Sequence, residues 1–398
     1  MAEPPTYGPN DDQIDEFFER KREWSRVKDK ILGDYIVCYL RTVKERGRPI
    51  ILIDAFAGPG RFADGSEGSP LIVCKAIEAE GRGATRCIFA DIRPAHRDAL
   101  ALCIRDYTKR GFAETPLADF TEALNRASEI GVDCTLFFYL DPWGLKELQF
   151  STLRQIYERD TRQSTEVLIN FSFRTFMRMS GNWSYGDAAR EVDRKVKSAK
   201  VEIVDGVMGG DYWRAIVADQ SLSKTEREDA VIAAYLERIR EFFAFAYSIP
   251  VKVADDGPSV PSDDVAKYHL IFGSRNGRAV RYMNDVAMNA SKAYREKLTE
   301  GVLFDMTPSR YQPTPIDQVK SEIINAVAKR PMKRGDIYEA IIPNHFLQYR
   351  VPDYRQMIEE LTFKESRLFG NPLTMRRKGK LNEDTLLKTT PWPEKMPR

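Results

Sequence analysis

Apolar and polar positions alternate along this chain with two periods, and the switching between them predicts its architecture. Trp24, Val27, Ile31, Tyr35, Cys38 and Leu40 recur every three or four residues, which predicts a helix over 24–44. An apolar run at 50–54 then reads as a buried strand, and 61–68 as a loop of glycines and charges. Ser69-Pro70 offers an N-cap and a first-turn proline for a helix over 71–80. Further strands are expected at 86–91, weakly at 113–117 ending near Asp119, at 134–140, and at 166–171. Helices at 96–109, 121–129 and 150–158 fall between them. Strands alternating with helices predict an α/β fold with a doubly wound, Rossmann-like sheet.

Beyond 171 the pattern changes. Residues 174–240 read as a helical insert, a cap with a glycine-rich break at Gly206 to Gly210. Two strand-like runs, 242–253 and 267–273, are joined by an Asp/Pro/Ser-rich stretch at 255–264, which predicts a long hairpin loop. A helix is expected at 278–297 and a linker at 307–315. Three short helical patterns follow, at 316–328, 334–341 and 353–361, and then a basic strand pair at 373–381 and 385–389. Helix, helix, helix, hairpin is the order of a winged helix. The expected organisation is an N-terminal helical segment (1–48), a sheet domain (49–306) with its insert, and a linker with a winged-helix-like domain (307–398).

Composition narrows the class. The 398 residues are 42% hydrophobic and 30% charged, ordinary for a globular protein. No apolar run approaches the roughly 18 residues of a membrane span. The polar, acidic start does not fit a secretory signal, so a cytoplasmic location with no membrane contact is expected. Five cysteines without a C-x-x-C pair and three scattered histidines argue against a metal centre. Net charge is only +2, but 310–398 holds 17 Lys/Arg against 11 Asp/Glu, a local balance of +6. A basic C-terminal segment on a near-neutral body points to a nucleic-acid partner. A solvated surface would look the same.

Chemistry concentrates at the predicted strand ends. Asp54 closes the first strand, and Phe56, Ala57, Gly58 and Gly60 form a small-residue turn behind it. Such a turn lets backbone approach a nucleotide-like ligand at the carboxyl edge of a sheet. The third glycine of the dinucleotide fingerprint is replaced by Ala63, which disfavours a NAD-dependent enzyme. Asp91 ends the second strand, 37 residues after Asp54, and Asp119 follows the weak third strand. Asp119 could equally cap the helix after it. Asp141-Pro142-Trp143-Gly144 ends the strongest strand and is the candidate reaction site. Asn170 and Arg174 flank the same edge, where they could position a substrate and neutralise a phosphate. Arg376, Arg377, Lys378 and Lys380 form a basic cluster that could contact phosphates.

The D-x-F-x-G-x-G turn resembles motif I of class I S-adenosylmethionine (SAM) methyltransferases. The larger set is more specific: Trp24 with Lys28, D-A-F-A-G-P-G, G-S-P-L, D-P-W-G, I-N-F and Y-H-L-I-F-G-S, in that order. Together with the winged-helix-like end, it resembles the three-Cys-motif partner family over nearly the whole chain. The resemblance implies a class I methyltransferase sheet with a terminal antiparallel strand pair, SAM as cofactor, and a separate three-Cys-motif protein as partner. It implies that Asp54 and the Phe56 to Gly60 backbone hold the methionine end of SAM, Asp91 the ribose hydroxyls, and Asp119 the adenine side. Amino-methyltransferases grip an exocyclic amine with a D/N-P-P-aromatic turn. Here the second proline is missing, so Asp141, Pro142 and Trp143 depart from that pattern, and Asp141 could instead be a general base. The expected activity is SAM-dependent methylation of nucleic acid. The alternative is a non-catalytic partner that keeps the fold to bind nucleic acid or protein.

Overall fold

The structure is a computed structural model, described for residues 11–44, 47–81, 83–130, 133–159, 164–181, 191–252, 266–298, 312–375 and 380–392. Its contacts divide into two units, Met1–Arg275 and Asn276–Arg398.

The first unit runs α1 (Asp11–Glu19), α2 (Glu23–Val43), β1 (Ile50–Asp54), α3 (Ser69–Glu80), β2 (Thr85–Phe89), α4 (Pro94–Lys109), α5 (Phe120–Glu129) and β3 (Thr135–Leu140). It continues with α6 (Phe150–Tyr157), β4 (Thr165–Phe171), α7 (Phe173–Ser180), α8 (Glu191–Met208), α9 (Trp213–Ala218), α10 (Lys224–Arg240), β5 (Phe245–Val251) and β6 (Tyr268–Ser274). These strands form one six-stranded sheet in the order β2-β1-β3-β4-β6-β5. The first four are parallel, and β6 runs antiparallel to both β4 and β5. This is the Rossmann-like doubly wound α/β sheet with a terminal antiparallel pair that the pattern predicts. Strand order reverses at β1, so the crevice beyond β1 and β3 is where such sheets place a ligand.

β1, β3 and β4 are buried at every position, because helices cover both faces of a parallel sheet. Alternate residues serve different faces. Ile51, Ile53, Phe138 and Ile169 join one core with side chains from α5 to α10. On the opposite face, the Tyr35 ring from α2 lies 5.7 Å from that of Phe137 and 5.2 Å from that of Phe272. Its hydroxyl donates to the buried Glu166 carboxylate at 2.5 Å.

Four details differ from the sequence reading. The third strand does not form. Residues 112–117 run along the free edge of β2 and make two isolated parallel bridges, Cys87↔Ala113 and Ala90↔Leu117. Pro116 has no N–H to donate, and the Phe89 carbonyl accepts from Leu117 instead, which breaks the ladder. Ser69 is not an N-cap but the first residue of α3, with Gly68 as the cap. The described parts of 174–240 supply α7 to α10, yet Val204, Trp213, Val231 and Tyr235 share the core of the sheet, so these helices are a flanking layer. The glycine break also comes late: α8 runs through Gly206, and Gly209, at φ +68°, follows its end.

The second unit comprises α11 (Gly277–Leu298), α12 (Ile316–Lys329), β7 (Met332–Lys333), α13 (Arg334–Ile341), α14 (Val351–Phe363), β8 (Phe369–Gly370) and β9 (Leu386–Lys388). The division between units thus lies at 275–276, where the sequence reading has it at 306–307. The reason is chemical: α11 is bonded to residues far beyond its own C-terminus. Arg281 donates to Glu383 at 2.6 and 3.1 Å, and Asn284 bonds the backbone of Leu347 and Tyr349 at 2.7 and 2.8 Å. Val319, Ile323, Ile337, Tyr338, Ile358 and Leu361 anchor the core of this unit. Its small sheet has the order β7-β9-β8. The expected strand at 373–381 is absent from the described part of that range. Phe369 and Gly370 pair with β9 instead, while Asn371 accepts from Leu373, Thr374 and Met375 to make a turn. Among the described residues, no helix is long and apolar enough to cross a membrane.

Candidate functional site

The turn after β1 is held from both sides. Ala57 N–H donates to the Ala90 carbonyl at 2.9 Å, and Ala55 N–H to that of Tyr139 at 3.3 Å. Gly58 and Gly60 take φ of +63° and +81°, a region that residues with a Cβ enter at a cost. A Cβ on Gly58 would also lie 2.8 Å from the Phe18 ring. Both glycines are therefore required by the backbone path itself. Phe56 is half-buried and stacks at a tilt on Phe120, 5.5 Å away.

Two carboxylates brace this turn. Asp54 is 2% exposed and accepts from Phe56 N–H at 3.2 Å and from Ser69 Oγ at 2.6 Å. Burial pushes its carboxyl up to about 7; the Ser69 and Phe56 bonds oppose that rise, and the charges of Asp141 and Asp29 add to it. Asp91, just past β2, accepts from Gly58 N–H at 2.9 Å, Arg93 N–H at 2.9 Å and the His96 ring at 3.2 Å. One of the roughly four lone-pair sites of its carboxylate is left for a ligand hydroxyl. Asp119 follows Leu117, whose carbonyl accepts from Asp91 N–H at 3.3 Å. It is exposed and caps α5, accepting from Glu122 N–H at 2.8 Å.

The D-P-W-G turn lies past β3, across the crevice. Pro142 is buried and Trp143 is 37% exposed. Asp141 carries more partners than its sequence context shows. Lys28 Nζ bonds both of its oxygens, at 2.8 and 2.7 Å; Tyr139 OH donates to Oδ2 at 3.0 Å and Asn170 Nδ2 to Oδ1 at 2.5 Å. Lys28 is 5% exposed and stands 5.0 Å from the centre of the Tyr268 ring. Burial works against its ammonium, but the charges of Asp141 and Tyr268 and the bond to Asp141 outweigh it, so its pKa lies above the ordinary lysine value. Asn170 is 3% exposed, and its Oδ1 is buried without a hydrogen-bond partner among the described residues.

Helix α1 adds an aromatic layer. The Phe18 ring lies 4.9 Å from His96, 5.3 Å from Phe62 and 5.6 Å from Trp143, and Phe17 stands edge-on to Trp143 at 4.6 Å. The backbone of Ala63 and Asp64 donates to the carbonyls of Phe18 and Glu19, at 2.8 and 3.0 Å, which fixes the end of α1 to the 61–68 loop.

The structure thus brings Asp54, Phe56 to Gly60, Asp91, Asp141, Pro142, Trp143 and Asn170 to one sheet edge. Arg174 is half-buried in the first turn of α7. Arg376, Arg377 and Lys378 lie outside the described residues, and Lys380 is exposed. Sequence reasoning gave no role to Tyr139 or His96, read Ser69 only as an N-cap, and named Lys28 with Trp24 without a role. Lys28 had a signal: it interrupts the apolar stripe of its helix, four residues after Trp24 and three before Ile31, where a lysine needs a buried partner. Among the described residues, no group of three His, Cys, Asp or Glu is placed to hold a metal ion.

No protein-family model matches the chain, and no curated protein does. Solved structures give weak likenesses. An O-methyltransferase from Bacillus cereus in complex with SAH is 12% identical, covering 67% of this chain and 92% of its own, at a TM-score of 0.33. The protein LPL1258 of Legionella pneumophila is 8% identical, covering 62% and 84%, at 0.35. Cofactor-bound Rv0187 from MTB is 11% identical, covering 67% and 98%, at 0.29. Likenesses this slight carry no argument about chemistry, which rests on the geometry of the sheet edge.

Proposed function

We propose that this chain is a SAM-dependent methyltransferase acting on nucleic acid, with the sheet unit as the catalytic part. One observation carries the reading: a glycine turn in left-handed backbone conformation leaves β1 beside two buried carboxylates, at the switch point of a doubly wound sheet. The residues suit an adenosyl amino acid. The Phe56 to Gly60 backbone would line its methionine end, with Asp54 behind that turn and Asp91 offering one acceptor site to a ribose hydroxyl. When bound, SAM supplies an electrophilic methyl group. The protein's part is then to orient a nucleophile and exclude water, for which the Phe17, Phe18 and Trp143 layer is suited. Trp143, exposed beside Asp141, offers a stacking face to a base, worth about 1–3 kcal/mol.

In the same reading, residues 307–398 supply a linker and a winged helix. Three helices, α12, α13 and α14, precede the β8–β9 pair, and α13 follows β7 directly. The basic balance of the segment favours phosphate contact, and a three-Cys-motif protein is the proposed protein partner. A non-catalytic scaffold is the second reading. The saturated Asp141 favours it, because a base with every acceptor site filled is not free to take a proton. The test uses radiolabelled SAM with mixed DNA and RNA. Methyl label that survives protease and is released by nuclease supports the enzyme. SAH binding with no label in any nucleic acid supports the scaffold.

A further inference from the structure

The lone pairs of Asp141 are all spoken for. An ionised carboxylate offers about four acceptor sites. Here Lys28 takes one on each oxygen, Tyr139 one on Oδ2, and Asn170 one on Oδ1. Asp141 can only accept, so the Asn170 amide must turn its NH2 group toward it. That orientation leaves Asn170 Oδ1 as the unpaired group, and it is buried. A buried acceptor without a partner costs about 1–3 kcal/mol. Such a group calls for an explanation, and a catalytic role or a water is among those that native structures supply.

We infer that Asn170 Oδ1, not Asp141, is the acceptor that orients the substrate at the transfer point, and that the substrate is an amine bearing an N–H. The inference rests on the methyltransferase reading and deepens it. A neutral amide oxygen can accept a hydrogen bond but cannot remove a proton, so it suits a nucleophile whose lone pair is already available. The amine nitrogen forms the new N–C bond as the C–S bond of the sulfonium breaks and its electron pair stays on sulfur. The alkylated nitrogen then loses its extra proton to water. A hydroxyl target would need deprotonation to become a good nucleophile, and Asp141 has no acceptor site left for that proton. Lys28 and Asp141 act as positioning residues. They form a charge-neutral pair that fixes the amide and sets no net charge against a sulfonium.

The test needs no knowledge of the natural substrate. Sinefungin is a SAM analogue with an amine-bearing carbon in place of the methyl sulfonium, so it presents N–H donors at the transfer point. Its affinity and that of SAH are measured by calorimetry for the full-length parent and for Asn170→Leu. The expected result is that the parent favours sinefungin over SAH by about tenfold. Asn170→Leu should erase that preference while holding SAH within about twofold. Asn170→Ala, which adds no branched bulk, should do the same. An unchanged sinefungin-to-SAH ratio in either variant that still binds SAH overturns the inference. Loss of SAH binding in both variants also overturns it, because Asn170 would then be a structural pin. If the parent binds neither ligand, the methyltransferase reading itself fails, and the inference falls with it.

Discussion

Asp54 shows how one side chain couples the turn to solution conditions. Its carboxyl sits at about 7, against about 3.9 for an unstructured aspartate. Between about pH 4 and 7 the folded chain keeps a proton that the unfolded chain has lost. The contribution is therefore fully present below about pH 4, falls as pH rises, and is gone above about 7. The slope is at most about 1.4 kcal/mol per pH unit. Asp54→Asn removes this titration. Urea unfolding of both proteins from pH 4 to 8 should show the parent losing stability relative to Asp54→Asn up to about pH 7. Parallel curves would mean that Asp54 is solvated and ionised. The sequence revealed Asp54, Asp91 and Asp141 because each ends an apolar run at the edge of a parallel sheet. It could not reveal that Asp141 is saturated, because Lys28 lies 113 residues away on α2 and only the packing of α2 on the sheet brings the two together.

At the scale of elements, α5 begins with a side-chain cap. The Asp119 side chain accepts from Glu122 N–H and satisfies one of the free donors at the start of that helix. Asp119→Ala should cost about 1 kcal/mol of stability while leaving SAH affinity unchanged. Chemical denaturation and calorimetry on the same sample check both halves. A fall in SAH affinity well beyond the loss of stability would return Asp119 to the adenine side of the cofactor. The strands β1, β3 and β4 were legible because fully buried strands read as unbroken apolar runs. The 113–117 stretch read only as a weak strand; Pro116 within it has no N–H to donate, and its bonds to β2 form isolated bridges. The role of α7 to α10 was not legible. An amphipathic helix shows the same period whether it caps a site or flanks a sheet, and here the buried Trp213 and Tyr235 belong to the sheet's core.

For the molecule as a whole, the proposed function assigns a separate task to each of the two units, and each assignment can be tested. The sheet strands all lie before residue 276, so residues 1–275 should bind SAH as the full chain does. The basic C-terminal unit should carry the salt-dependent part of nucleic-acid binding. Each phosphate contact contributes about −0.7 to −0.9 to the slope of log affinity against log salt. Replacing Arg376, Arg377 and Lys378 by alanine should flatten that slope by roughly two units, across unrelated sequences. A salt series that is unchanged in the triple variant would shift the second unit from nucleic acid to protein docking. The central claim remains that the turn after β1 holds an adenosyl amino acid, and calorimetric titration with SAH tests it most directly. The parent should bind one SAH per chain. Gly58→Val should bind none while remaining folded, because a β-branched residue at φ +63° is strained and its Cβ would meet Phe18 at 2.8 Å. A parent that gives no heat of binding, or a folded Gly58→Val that binds SAH as tightly as the parent, would contradict the claim.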